Sequence, residues 1–157
     1  MPIVLTDSEI TRLVAEQKPL PPDYRDRIEV RAKRGHKESE LDLKGAGGSE
    51  FRLIVRQASA NPLDFSVILA YLVPKTNRAF RLRRYNGKHG EHTNRLERET
   101  FYCPHIHRAT ERYQDSGFHE DAFAEPTDRY ADLEGAVECL LEDCGFVLPH
   151  DSQNRLF

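Results

Sequence analysis

Hydrophobic positions along this chain recur with two different periods, and the changes of period divide it into elements. Thr6-Asp7-Ser8-Glu9 has capping-box spacing, and Ile10, Leu13 and Val14 follow at helical spacing as far as Pro19. This predicts a short amphipathic helix over about residues 7–17, with Pro19-Leu20-Pro21-Pro22 as a stiff extended connector. From Arg27 the period becomes two. Ile28, Val30 and Ala32 alternate with charged residues, the pattern of a strand with one wet face. Arg34-Gly35-His36-Lys37 reads as a turn. Leu41 and Leu43 then alternate with Glu40 and Asp42 in a second strand, closed by Gly45-Ala46-Gly47-Gly48. That glycine cluster lacks a following Lys-Ser/Thr and lies between strands, which excludes a phosphate loop.

The third strand sets Phe51, Leu53 and Val55 against Arg52, Ile54 and Arg56. The stretch from Phe65 to Val73 is apolar on both faces, so it is expected at the centre of the sheet. After a loop at Pro74-Lys75-Thr76-Asn77, a fifth strand runs from Phe80 to Tyr85. Asn86-Gly87 opens a polar loop that Phe101-Tyr102 closes. The segment Pro104 to Tyr113 fits two patterns. Alternation sets His105, His107 and Ala109 on one strand face, whereas helical spacing groups Ile106, Ala109 and Tyr113. Pro104 and Ile106 favour a strand over His105–Thr110, with an acidic loop after it at 115–131. Leu133, Ala136, Val137, Leu140 and Leu141 then trace one helical face, with Asp132 as N-cap and Gly145 at the C′ position. Phe146 to Pro149 adds a short edge segment, and residues 149–157 read as a frayed tail.

These elements describe one α+β domain over residues 1–157. The expected architecture is a single antiparallel sheet of five to six strands in meander order, packed by an N-terminal and a C-terminal helix. No apolar run approaches the ~18 residues of a membrane span, so no membrane association is expected. The opening MPIVLTDSEI turns acidic within a few residues and does not read as a signal peptide. Three cysteines without a CxxC pair suit free thiols in a reducing compartment, which makes a cytoplasmic location the expected one.

Charge changes this picture locally. The net charge is only −3, yet residues 81–113 carry eight basic against four acidic groups, while residues 114–157 carry two against eleven. The basic stretch also holds four of the seven histidines, so candidate chemistry concentrates there. In Arg81-Leu82-Arg83-Arg84-Tyr85, a period of two aligns Arg81, Arg83 and Tyr85 in one row, with guanidinium groups suited to phosphate. Pairing of those arginines with the acidic tail is the bland alternative. His105 and His107 face one way on a strand, as proton transfer or a metal pair requires. His92, and less so His89, approaches from the preceding loop. A zinc site needs three or four ligands, and the chain has no signature of known metal spacing, so no metal or other cofactor is expected. His105, His107, Arg83 and Tyr85 are therefore the candidate catalytic residues, and Arg81, Arg84, His92 and Arg112 the candidate anion- or nucleic-acid-binding ones. Together they suit metal-independent RNA cleavage, which needs a base for the 2′-hydroxyl, cations on the phosphate and an acid for the leaving oxygen. A non-enzymatic module that grips nucleic acid or an acidic protein with the same residues is the alternative, and a metal-binding hydrolase using His92, His105 and His107 is a third.

The runs FRLRRYNGKHGEHTN, FYCPHIHRATERYQ and AEPTDRYADLEGAVECLLEDCGF resemble a bacterial family of about this length with no assigned activity. The order of an Arg/Tyr strand, an Asn-bearing turn, a His-x-His segment and a terminal helix is also distantly similar to TumE-type toxins, which have small RelE-like or barnase-like ribonuclease folds. That likeness implies an endoribonuclease acting on RNA, with a cognate antitoxin or other protein partner. Tyr85-Asn86 stands where those toxins have Asp-Asn, and Cys103-Pro104-His105-Ile106-His107 has one histidine fewer than their run.

Overall fold

The computed structural model describes residues 4–33, 35–88 and 90–149. Arg34 and His89, and the expected frayed tail beyond Pro149, lie outside them. The capping box at the start of the chain forms as its spacing demands. Thr6 Oγ1 accepts from the Glu9 amide at 3.1 Å, and the Glu9 carboxylate accepts from the Thr6 amide at 3.1 Å. The helix it starts, α1 (Asp7–Ala15), buries Ile10, Leu13 and Val14. A two-residue strand β1 (Lys18–Pro19) follows.

The alternation after Arg27 does not produce a strand there. Tyr24 is buried, its amide donates to the Pro21 carbonyl at 3.1 Å, and one helical turn, α2 (Tyr24–Arg27), forms around it. The strand shortens to β2 (Arg31–Lys33). The tertiary anchor at Tyr24 outweighs a local preference for extended backbone.

The main sheet is then built by β3 (His36–Lys44), β4 (Glu50–Ala58), β5 (Phe65–Leu72) and β6 (Ala79–Asn86). The expected polar loop after Asn86 is instead a hairpin of β7 (His92–Asn94) and β8 (Glu99–Phe101). The ambiguous segment divides into β9 (His105–Arg108) and a helical turn α3 (Glu111–Asp115), and the acidic loop contains β10 (Phe123–Pro126). Helix α4 (Leu133–Asp143) starts on the Asp132 side chain, and β11 (Phe146–Val147) closes the described chain, pairing in parallel with β1. Among the described residues the principal sheet has seven antiparallel strands in the order β10-β9-β6-β5-β4-β3-β2, with four helices in all. The fold is α+β as expected, with more strands and helices than the periodicity indicated. β10 had been hidden because Phe123-Ala124-Glu125 is too short to display a period of two. It forms because β9 has an open edge to satisfy.

The two faces of this sheet differ. On one, Val55, Val67, Tyr85 and Ile106 pair directly across four strands and join α1 and α4 in the apolar core. Burying each such side chain contributes roughly 1.5–3 kcal/mol. The row on the other face runs Ile54, Ile68, Arg84, His107 and Ala124. This second face carries Arg84 and His107.

Lys18 is wholly buried at the junction of both helices. Its ammonium donates to the carbonyls of Leu13, Val14, Glu16 and Cys144 at 2.7–2.9 Å and lies over the Phe51 ring, 4.5 Å from its centroid. One cation thus satisfies carbonyls at the C-terminal ends of α1 and α4, groups that no helix can satisfy internally.

Candidate metal centre

The site depends on an irregularity in β6. Leu69 pairs with Arg83 and Ala70 with Arg81, so Leu82 is an extra residue and the strand bulges. A bulge reverses the phase of alternation. Phe80, Leu82 and Tyr85 are all fully buried in consequence. The expected row of Arg81, Arg83 and Tyr85 is therefore broken. Tyr85 donates its hydroxyl to Asp143 of α4 in a short hydrogen bond, and Arg83 Nη1 lies 3.5 Å from that hydroxyl. Burial pushes the Tyr85 phenol far above its ordinary range, followed by the effects of Cys144 and Asp143. Arg83 and Tyr85 sit on the core side, away from the histidines.

Arg81 and Arg84 emerge on the opposite face. Arg81 Nη2 lies 3.3 Å from Asp121 and Arg84 Nε 3.4 Å from the same carboxylate, while Glu120 reaches Arg78 at 3.4 Å and Arg81 at 3.6 Å. Asp121 Oδ2 and Arg84 Nε are both buried, and their contact is too poorly aligned for a hydrogen bond. Burial lowers the Arg84 pKa, an effect that Asp121 opposes. Arg112 lies apart, paired with Glu97.

His105 and His107 project from β9 onto the face of Arg84, as two-residue spacing requires, with ring centroids 4.8 Å apart. The hairpin brings His92 over them. Its ring stacks on His105 at 5.2 Å and meets the edge of His107 at 4.7 Å. The hairpin turn is held by α3. The Leu96 amide donates to the Tyr113 hydroxyl at 3.1 Å, and that hydroxyl donates to Glu97. One ring nitrogen from each of the three histidines lies within 4.8 Å of the other two.

Hydrogen bonds fix which nitrogen each ring turns outward. His105 Nδ1 contacts the Cys103 carbonyl at 2.9 Å and His107 Nδ1 the Asp121 carbonyl at 2.7 Å. A carbonyl only accepts, so both Nδ1 atoms carry protons and both Nε2 atoms carry lone pairs. The His105 Nε2 atom is 3.5 Å from Asn86 Nδ2, whose own Oδ1 is taken by the Ser66 hydroxyl at 2.7 Å. His107 Nε2 lies 3.5 Å from Arg84 Nη2. For His92 the argument runs through Asn94. Asn94 Nδ2 donates to the Ala124 carbonyl at 2.7 Å, and its Oδ1 accepts from the Ala124 amide at 2.9 Å. The oxygen 2.8 Å from His92 Nε2 is thus an acceptor, the proton is on Nε2, and the lone pair is on Nδ1.

Burial, then the nearby Arg84 cation and His105, push the His107 pKa down to about 2. It is a neutral imidazole at any physiological pH. Three imidazoles, two held by backbone carbonyls and one by an amide oxygen, form the arrangement in which histidines ligate zinc-class metals. Tetrahedral zinc would bring the nitrogens to about 3.3 Å from one another, closer than the 4.8 Å limit found here. His92 and His107 also line an open cleft of about 970 Å3 together with Arg78, Arg81 and Arg84.

The eight candidates therefore separate, the β6 residues by the bulge and Arg112 by its place on α3. His92, His105, His107, Arg81 and Arg84 come together, whereas Arg83, Tyr85 and Arg112 do not join them. Asn94, by sequence only a second-tier candidate read as a turn cap or surface group, joins the site, as do Glu120 and Asp121, which the sequence does not single out. The two-residue step from His92 to Asn94 is a weak signal for the first, and an acidic pair following an arginine strand for the others. Comparison with family models, curated proteins and solved structures finds no match to this chain.

Proposed function

We propose that this chain binds a divalent metal of the zinc class through His92, His105 and His107 and uses it to hydrolyse an anionic ester, with phosphodiesters such as RNA as the substrate class. The observation that carries the reading is the convergence of the three imidazoles, one ring nitrogen of each within 4.8 Å of the others, while an oxygen acceptor holds one nitrogen of every ring. A bound zinc-class ion would supply a Lewis acid and bring the pKa of a bound water towards 7. The chain's own residues do the rest. Cys103, Asp121 and Asn94 orient the imidazoles, and Arg81 and Arg84 line the cleft where substrate charge would lie. Asp121 and Glu120 hold those guanidinium groups in position.

Metal-independent RNA cleavage is the second reading, favoured by the sharing of one cleft by Arg81, Arg84, His92 and His107. It needs a histidine that exchanges protons near neutral pH, and His107 is held far below that range. The metal reading makes use of that same neutrality. The two are separated by incubating the purified chain with bis(p-nitrophenyl) phosphate and with total RNA, before and after chelation and after adding back zinc, manganese or cobalt. Hydrolysis lost on chelation and restored by metal supports the proposal. Hydrolysis indifferent to chelator favours the second reading, and no hydrolysis with metal bound reduces the site to a metal-binding module.

A further inference from the structure

On the opposite face of the sheet, next to α4, lies a second recess of about 550 Å3. Its floor is apolar: Ile28, Val30, Leu133, Val137 and Leu141 line it and are only partly buried. Leu133, Val137 and Leu141 follow at four-residue spacing, so they form a straight ridge along α4. Such a ridge packs into the groove of a second helix laid beside it. No helix of the described chain occupies that place.

The rim is acidic. Asp26 and Glu29 border it from one side and Glu134 and Glu138 from α4, against Arg25, which lies over the Tyr24 ring with its guanidinium 5.5 Å from the centroid. Glu134, Glu138 and Glu142 repeat at i, i+4 along α4, and its last turn carries no basic residue. Like charges at that spacing repel, and negative charge near a helix C-terminus opposes the macrodipole. The arrangement is unfavourable for the isolated chain and favourable beside a cation.

We propose that this groove docks a basic amphipathic helix of a partner protein. Apolar side chains at i, i+3, i+4 and i+7 would fill the space beside the Leu133–Val137–Leu141 ridge, with Lys or Arg on the flanks meeting Asp26, Glu29, Glu134 and Glu138. The groove lies on the far side of the sheet from the histidine cluster, so this proposal is independent of the metal reading.

The test is fluorescence anisotropy with a labelled synthetic helix of about 15 residues, leucines on one face and lysines on its flanks. Binding of one peptide per chain is expected, weakened about tenfold by Val137→Ser and about tenfold by the double change Glu134→Lys and Glu138→Lys. The two glutamates are exposed, so the double variant keeps its fold, as circular dichroism will record. A peptide of the same composition with scattered leucines that binds equally well overturns the proposal, since charge alone would then suffice. So does unchanged affinity in the double variant. A chain that is dimeric by light scattering, and made monomeric by Val137→Ser, also overturns it, because a second copy would fill the groove.

Discussion

Replacing Lys18 by Met keeps a side chain of similar length and removes its charge and its hydrogen bonds. The ammonium serves four carbonyls, three buried and that of Glu16 partly so, with three protons, so the change removes at least three bonds, each worth about 1–2 kcal/mol. Against this, the folded protein no longer buries a cation. Burial pulls the Lys18 pKa from 10.5 down to about 8, partly opposed by Cys144 and Glu16, and that depression corresponds to roughly 3 kcal/mol of unfavourable charging. The difference is a net loss of about 2 kcal/mol at neutral pH, or about 4–8 °C in Tm for a chain of this size. The pH dependence follows from linkage. Between pH 8 and 10.5 the unfolded chain retains the Lys18 proton more tightly than the folded chain, so stability contributed by this residue rises with pH across that window. Urea titrations of both proteins from pH 7 to 10.5 should show the gap between wild type and Lys18→Met widening. A variant more stable than wild type at pH 7 refutes the valuation of the four carbonyls. A gap that narrows refutes the direction of the pKa shift.

Three further outcomes are expected. Gly145 has φ +74°, and a Cβ there would come within 2.8 Å of the Glu16 carbonyl oxygen, so Gly145→Ala should cost about 1–3 kcal/mol in thermal or urea unfolding. Tyr85→Phe loses the hydrogen bond to Asp143 and should lower stability by about 1–2 kcal/mol, with metal affinity within twofold of wild type; a large loss of metal binding would return Tyr85 to the site. Asn94→Ala removes the acceptor that fixes His92 and should weaken zinc binding about 10–100-fold by calorimetry, while Asn94→Asp, which keeps an acceptor, retains more of it.

Much of the scaffold was legible because local rules and tertiary context agree there. Thr6 and Glu9 close their capping box, Asp132 caps α4, Gly145 takes positive φ, and the doubly apolar Phe65–Leu72 lies at the middle of the sheet. Two-residue spacing also sufficed to put His105 and His107 on one face. The bulge at Leu82 was not legible. It arises from pairing between β5 and β6, and nothing in FRLRRYN announces which of two phases each arginine will follow. That one residue moves Arg83 and Tyr85 to the core and leaves Arg81 with Arg84. The hairpin that carries His92 was read as loop because its strands are three residues each. The ion pairs of Glu120 and Asp121 depend on a long-range return of chain that charge counting cannot assign to particular arginines.

The central claim is that three imidazoles hold one metal ion. Titration of the metal-free chain with cobalt(II), followed by its visible d–d absorption, tests this most directly. One equivalent should give an intense, tetrahedral-type spectrum that zinc(II) abolishes by displacement, and His105→Ala or His107→Ala should eliminate it. A spectrum no stronger than that of aqueous cobalt, or one that survives simultaneous replacement of His92, His105 and His107, contradicts the account.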